Sequence, residues 1–310
     1  MKSFPAKILL FGEYSILEGS MALAVPYSTY SGHLSHQDTA PNEARESGLQ
    51  LLKFCTFLKE NTNRFPYIDV HRFEEEINQG LCFNSNIPQG YGLGSSGALT
   101  AAVYDRYGRQ DSSIPVSDLR LRLASMESYF HGTSSGLDPL VSFANEPVLI
   151  GKNGKVSITT GVEWKALIKK AKVFLADTGE IGKTEGFVTW FRAQMQDTNY
   201  ASNIHQAYIP AVNRAIEALM NGQTSVFQEA VKTISQLQRT LFNPMIPEPF
   251  QKLIDAGLSQ KEYFLKLCGS GGGGFMLGFV TEQREGLWMK TKFPTKPIFL
   301  FADEGVNTNY

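Results

Sequence analysis

The chain has 310 residues and is 42% hydrophobic, enough to build a large core, which excludes a disordered polymer. Its 29 Lys and Arg stand against 30 Asp and Glu, a net charge of −1 with no basic block, so neither nucleic acid nor an anionic membrane finds an electrostatic footprint. Three cysteines without a CxxC pair, no leader pattern and no apolar run near ~18 residues lead us to expect a soluble cytoplasmic protein.

KILLF (Lys7–Phe11) reads as a buried strand and MALAVPY (Met21–Tyr27) as a second, joined by GEYSILEG between Gly12 and Gly19. Residues 36–47 are polar and carry Pro41, which predicts a loop. From Leu49, LQLLKFCTFLKE has apolar residues at helical spacing. LCFNSNIP (Leu81–Pro88) predicts a strand running into a loop. SGALTAAVYDRY then reads as a helix with Ser95 or Ser96 as its N-cap. Pro115 and Ser117 open a further amphipathic helix that ends near His131 and Gly132. VSITTGVEW and KAKVFLADT read as strands, and two helices split at Asn221-Gly222 fill Asn203–Phe242. EYFLKLCG, FMLGFV and KPIFLFAD read as strands, with a charged helical segment over Thr281–Lys290. This irregular alternation without repeats predicts an α+β or α/β two-layer build. The division falls before KVFLADT, giving domains 1–170 and 171–310.

Glycine is slightly over-represented, 28 of 310 residues against a usual share of about 7%. The excess gathers in two loops. In PQGYGLGSSGAL (Pro88–Leu99), four glycines and two serines follow a strand and open a helix. Glycine lets the backbone approach a bulky anion, and a helix start offers free N–H groups and a positive dipole end, so phosphate is the natural guest. A serine hydroxyl there is a fitting ligand for Mg²⁺, which prefers oxygen. The plainer reading, a tight strand-to-helix turn, does not require so dense a pattern. In KLCGSGGGGFMLGF, Gly269 and Gly271–Gly274 lie between two apolar strands, which leave no room for a flexible linker. DTGEIGKT (Asp177–Thr184) imitates a phosphate loop, but Asp177 stands where GxxxxGK[ST] needs its first glycine, so a P-loop ATPase is rejected.

PAKILLFGEYSILEG, PQGYGLGSSGA and KLCGSGGGG, in that order, resemble the three signature motifs of the GHMP kinase superfamily, and within it the mevalonate kinases most. ESYFHGTSSGLD (Glu127–Asp138) resembles the family's E…HGxPSGxD stretch, with the same step from glutamate to aspartate. The resemblance spans residues 5 to about 280. It implies a two-domain α+β fold, a ribosomal protein S5-like N-terminal domain packed on a ferredoxin-like C-terminal domain, with the active site between them. It also implies ATP and Mg²⁺ as cofactors, and a mevalonate-like small molecule as phosphoryl acceptor.

Site roles carry over by position. Asp138 matches the catalytic aspartate, the base for the acceptor hydroxyl, and Lys7 the lysine beside it. Gly90, Gly92, Leu93, Gly94, Ser95, Ser96 and Gly97 match the nucleotide loop. Glu127 and Ser96 match the Mg²⁺ ligands, with Ser95 the alternative to Ser96. Glu13, Tyr14, Thr184, Gly271 and Gly272 are assigned to the acceptor side. Read without the resemblance, a lone loop carboxylate is usually a solvated cap, and Lys7 within an apolar strand needs a partner, for which Asp138 is the nominee. His131 reads as a capping or packing histidine.

The chain departs from the mevalonate kinase pattern at several points. Ala6, Gly97 and Ser270 are small-for-small exchanges of little expected consequence, Gly97 standing where the family has alanine. Tyr14 replaces the histidine that follows Gly-Glu, and Ser134 replaces a proline. A kinase for another acceptor (phosphomevalonate, a sugar, or another hydroxyl of mevalonate) and a non-catalytic metabolite sensor are the alternatives; the joint presence of Lys7, Glu127 and Asp138 speaks against the sensor. A homodimer is left open.

Overall fold

A computed structural model describes residues 2–36, 41–109, 111, 113–160, 164–182, 186–281 and 293–301. The first strand, β1 (Phe4–Phe11), is covered on both faces and runs through the interior. A 3-10 turn over Ser15–Glu18, closed by Gly19 at φ 82°, leads into β2 (Ala22–His36). β2 extends well beyond MALAVPY. Its polar second half is held by main-chain pairing rather than by apolar pattern, with Gly32 opposite Ser85 and His36 opposite Leu81.

Helix α1 (Pro41–Glu60) begins inside the segment expected to be a loop. Proline at a first helical position gives up an N–H that has no partner there anyway, so Pro41 starts the helix instead of excluding one. A helix not expected from the sequence follows, α2 (Val70–Asn78), which Asp69 caps by accepting from the Arg72 N–H and which buries Val70 and Phe73. After β3 (Leu81–Ser85) comes α3 (Ser95–Tyr107). Its N-cap is neither serine but Gly94, at φ 74° and ψ 41°, and no side chain caps it. Then follow α4 (Val116–His131), α5 (Leu137–Ala144), β4 (Val148–Ile150) and β5 (Val156–Ile158). Among the described residues of VSITTGVEW the first three are strand, and Trp164 already opens α6 (Trp164–Lys170). These strands form one antiparallel sheet in the order β1-β2-β4-β5, with β3 paired on β2, and α3 and α5 pack against β1 and β2.

A second antiparallel sheet, ordered β7-β8-β6-β9, is built from β6 (Val173–Asp177), β7 (Tyr263–Leu267), β8 (Phe275–Val280) and β9 (Ile298–Phe299). Between β6 and β7 run α7 (Phe187–Gln194), α8 (Thr198–Asn203), a π-helical turn at Ile204–Tyr208, α9 (Ile209–Met220), α10 (Thr224–Leu241) and α11 (Glu248–Gln260). The break at Asn221-Gly222 falls where expected. Among the described residues of KPIFLFAD, Ile298 and Phe299 are strand. Thr281 is not helical, and the rest of the expected charged helix lies outside the described residues.

One buried apolar cluster serves both sheets. Phe11, at the end of β1, stacks on Phe279 of β8 with centroids 5.8 Å apart and meets Phe227 of α10 edge-on at 6.0 Å. The N-terminal strand therefore delivers the residues that follow it, Gly12 to Tyr14, to the junction of the two sheets. Among the described residues no helix is long and apolar enough to cross a membrane.

Candidate active site

Three loops meet backbone to backbone at this junction. In the first, Gly90, Gly92 and Gly94 all have φ near 75°, while Leu93 is buried and its carbonyl accepts from the Lys7 N–H at 2.9 Å. The second leaves β6. Asp177 Oδ1 accepts from the Gly179 N–H at 2.8 Å, and the Gly182 N–H donates to Gly90 O at 2.9 Å. The third is the run Gly269–Gly274. The Gly274 N–H donates to Glu180 O at 2.7 Å, and Gly274 O accepts from the Thr178 N–H at 2.9 Å. A Cβ on Gly92 would stand 2.8 Å from Cys268 O, and one on Gly274 2.9 Å from Tyr91 Cα. Side chains are excluded here because main chains already touch. The described part of this segment, Asp177–Gly182, leaves an antiparallel strand and is laced to both glycine loops, which agrees with rejecting it as a P-loop. Thr184 lies outside the described residues.

Asp138 occupies the first turn of α5, behind Gly136 at φ 72°, where the helix dipole favours negative charge. Lys7 Nζ lies 3.0 Å from Asp138 Oδ1, the lysine side chain 7% exposed and the aspartate 28%. Burial works to lower the Lys7 pKa. The charge and hydrogen bond of Asp138 outweigh it, so the ammonium is held above its usual range. Two glycines bring this pair up to the loop. A Cβ on Gly94 would touch Lys7 Cγ at 3.0 Å and Asp138 Oδ2 at 3.2 Å, and one on Gly97 would meet Asp138 Cβ at 2.8 Å. The pair thus lies beside the uncapped N-terminus of α3, where helix amides and dipole suit a phosphate.

Glu127, buried on α4, accepts from Ser96 Oγ at 3.1 Å and, on its other oxygen, from Ser134 Oγ. Burial above all, then the charge of Asp138, pushes its carboxyl up to about 7. Ser96, not Ser95, is the serine against Glu127. Its hydroxyl also lies 2.9 Å from His131 Nε2.

Glu13 and Tyr14 are enclosed. Lys266 Nζ donates to Glu13 Oε1 at 2.5 Å, with both side chains 1% exposed. Tyr14 has φ 59° and ψ −43°, a conformation that costs a non-glycine residue about 1–3 kcal/mol. Its hydroxyl donates to Ser270 O at 2.5 Å, and its ring lies 5.4 Å from that of Phe191 and 5.6 Å from that of Phe242. Gly271 and Gly272 face Met245, whose carbonyl accepts from the Gly272 N–H at 2.7 Å.

Residues 53–145, which carry the first glycine loop, Glu127 and Asp138, match the profile of the GHMP kinases N terminal domain. The chain is thus similar to the GHMP kinases, and to mevalonate kinases among them. It is 24% identical to the mevalonate kinase of Pyrococcus horikoshii, over 92% of this chain and 90% of that one. It is 26% identical to that of Archaeoglobus fulgidus, over 91% and 93%. The crystal structure of L. major mevalonate kinase in complex with R-mevalonate superposes with a TM-score of 0.60 at 15% identity, covering 91% of this chain and 87% of that one, a likeness of fold. The α+β architecture is thus the GHMP kinase fold, and GHMP kinases use ATP.

Within this candidate site, two residues carry more than the sequence reveals. Ser134, which replaces the family's proline, donates to Glu127 and accepts from the Gly136 N–H at 2.9 Å, so it orients the carboxylate and the turn before Asp138 together. Ser-Ser-Gly is a turn-forming string, and that was the available signal. Lys266 gave none, because its partner is 253 residues away.

Proposed function

We propose that this chain transfers the γ-phosphoryl group of ATP to a hydroxyl of mevalonate, giving 5-phosphomevalonate. The observation that carries the reading is the Lys7–Asp138 pair at the uncapped start of α3. Asp138 accepts the proton of the acceptor hydroxyl as the oxygen attacks, and the Lys7 ammonium keeps Asp138 ionised and offsets charge on the phosphoryl group in transfer. The amides of Ser95, Ser96 and Gly97 receive the nucleotide phosphates. Thr184 and the glycine run, with Gly271 and Gly272, complete the acceptor side.

Ser96 Oγ and the Glu127 carboxylate fit Mg²⁺. They are two hard oxygens 3.1 Å apart, and the negative charge of Asp138 acts on the same carboxylate, which favours a cation there. When bound, the metal neutralises phosphate oxygens. The change from the first sheet to the second between β5 and β6 supports a domain division at 170/171. Mevalonate as acceptor is supported by the two archaeal relatives, which match along more than nine-tenths of this chain.

The test is ADP release with mevalonate, phosphomevalonate, galactose and homoserine, with the product identified by mass. Phosphorylation of mevalonate is expected, and Asp138→Asn is expected to lower kcat by about 10²–10⁴-fold without loss of fold. No turnover with mevalonate overturns the acceptor assignment. A near wild-type rate for Asp138→Asn overturns the base.

A further inference from the structure

Glu13 and Tyr14 are consecutive, and both reach across the molecule to one short segment. Glu13 holds Lys266, whose ammonium also donates to Leu267 O at 2.6 Å and lies 5.6 Å from the Phe11 ring centre. Tyr14 holds the carbonyl of Ser270. These contacts bracket Cys268 and Gly269, the entrance to the glycine run. Main-chain bonds hold its far half, the Gly272 N–H to Met245 O and Gly274 to Glu180 and Thr178, while Tyr14 holds its entrance at Ser270. Gly269 and Gly271–Gly274 all have positive φ, which glycine reaches freely and leaves as freely, and none has a side chain to anchor. Yet its position matters, because Cys268 and Gly274 lie directly against the nucleotide loop at Gly92 and Tyr91.

The Tyr14 hydroxyl and one oxygen of Glu13 are already committed. The Tyr14 hydroxyl gives its proton to Ser270 O. Glu13 Oε1 is bound to Lys266, while Oε2 is buried with no hydrogen-bond partner among the described residues. The unfavourable backbone of Tyr14 persists because its surroundings over-determine it, and the bond to Ser270 with the stacked Phe242 and adjoining Phe191 supply that constraint.

We infer that Glu13 and Tyr14 form a latch, two positioning residues that fix the glycine run Gly269–Gly274 against the nucleotide loop Gly90–Gly97. This rests on the kinase reading above and changes the role of both residues within it: they hold the phosphate end of the site and do not grip the acceptor.

The experiment compares Tyr14→Phe, Glu13→Gln, Lys266→Met and the double variant Glu13→Gln/Lys266→Met. For each, MgADP affinity is measured by calorimetry, kcat and acceptor KM with mevalonate, and melting by circular dichroism. Tyr14→Phe loses only the hydroxyl, and it is expected to stay folded with MgADP affinity and kcat both about tenfold lower and acceptor KM nearly unchanged. Removing one member of a buried ion pair strands the other, whereas replacing both does not. The double variant is therefore expected to recover melting temperature and MgADP affinity relative to the worse single variant. The latch is overturned if Tyr14→Phe raises acceptor KM while MgADP affinity stays at the wild-type value, or if the losses of the two single charge variants simply add in the double. Should wild type leave mevalonate untouched, the acceptor reading alone falls, because the MgADP and melting measurements read the latch without an acceptor.

Discussion

Replacing Gly97 by alanine would restore the family's usual residue, and the structure predicts that it damages this enzyme. Gly97 lies within the first turn of α3 at a helical backbone angle, so alanine introduces no backbone strain and in an open helix would gain about 1 kcal/mol. Here the added methyl would sit 2.8 Å from both the carbonyl carbon and the Cβ of Asp138, and 2.9 Å from Pro139 N. These atoms are main chain or the root of a side chain, so no rotamer change relieves them. Helices α3 and α5 must part by about 0.6 Å to reach the 3.4 Å at which contact becomes ordinary. Overpacking of this kind costs about 1–3 kcal/mol, which offsets or exceeds the gain in helix propensity. The larger effect is on chemistry. The same displacement carries Asp138 away from Ser96 and Lys7, and since a misplacement of ~1 Å can cost ~10²-fold, kcat should fall about 10–100-fold. Steady-state kinetics beside a thermal melt measures both. An alanine enzyme with unchanged kcat and unchanged melting temperature would show that the α3–α5 contact yields without cost, and the reasoning would be wrong.

The remaining predictions concern charge and loop contact. Burial, with Asp138 second, raises the Glu127 carboxyl from 4.5 to about 7, so the folded chain holds a proton that the unfolded chain releases between those values. Stability contributed by this group is present below pH 4.5 and lost as pH rises through 7, a change on the order of 3 kcal/mol. In metal-free buffer the melting temperature of wild type should therefore fall relative to Glu127→Gln between pH 5 and 8; a gap that does not move with pH refutes this. Gly273 has φ 137°, and a Cβ there would meet Ile181 O at 2.8 Å and Glu180 O at 2.9 Å. Gly273→Ala should force the second and third loops apart and lower kcat by about 10²-fold with the circular dichroism spectrum retained. A fully active alanine variant would show that the loops are not locked together.

The residues that gather at the candidate site are legible in the sequence, and their supports are not. Lys7, Asp138, Ser96 and Glu127 sit in strings whose residue types and spacing were recognisable, and Lys7 in an apolar strand demanded the counter-charge that Asp138 supplies. Helices with strong apolar periodicity, such as α9 and α10, and the glycine break between them could be read directly. The start of α1 could not, because proline and polar residues suit a loop and a first helical turn equally well. Helix α2 escapes because nine residues, four of them charged, offer only a short apolar stripe. The cap of α3 was misread because serine is the commoner cap, while here the left-handed turn at Gly94 leaves both hydroxyls free of that duty. Contacts such as Glu13–Lys266 and Tyr14–Ser270 join residues more than 250 positions apart and depend on how the two sheets meet, which no local pattern encodes.

The loops at the junction are tied mainly through peptide groups, Gly182 to Gly90 and Gly274 to Glu180 and Thr178. A frame made this way is nearly indifferent to the identity of the residues that donate and accept, since almost any amino acid has the same amide and carbonyl. Drift over generations can therefore rewrite most of the surrounding side chains while the outline of the centre persists, provided the bare glycine positions stay bare. The same property invites redesign: side chains around the junction can be recast residue by residue while the main-chain frame stays in place.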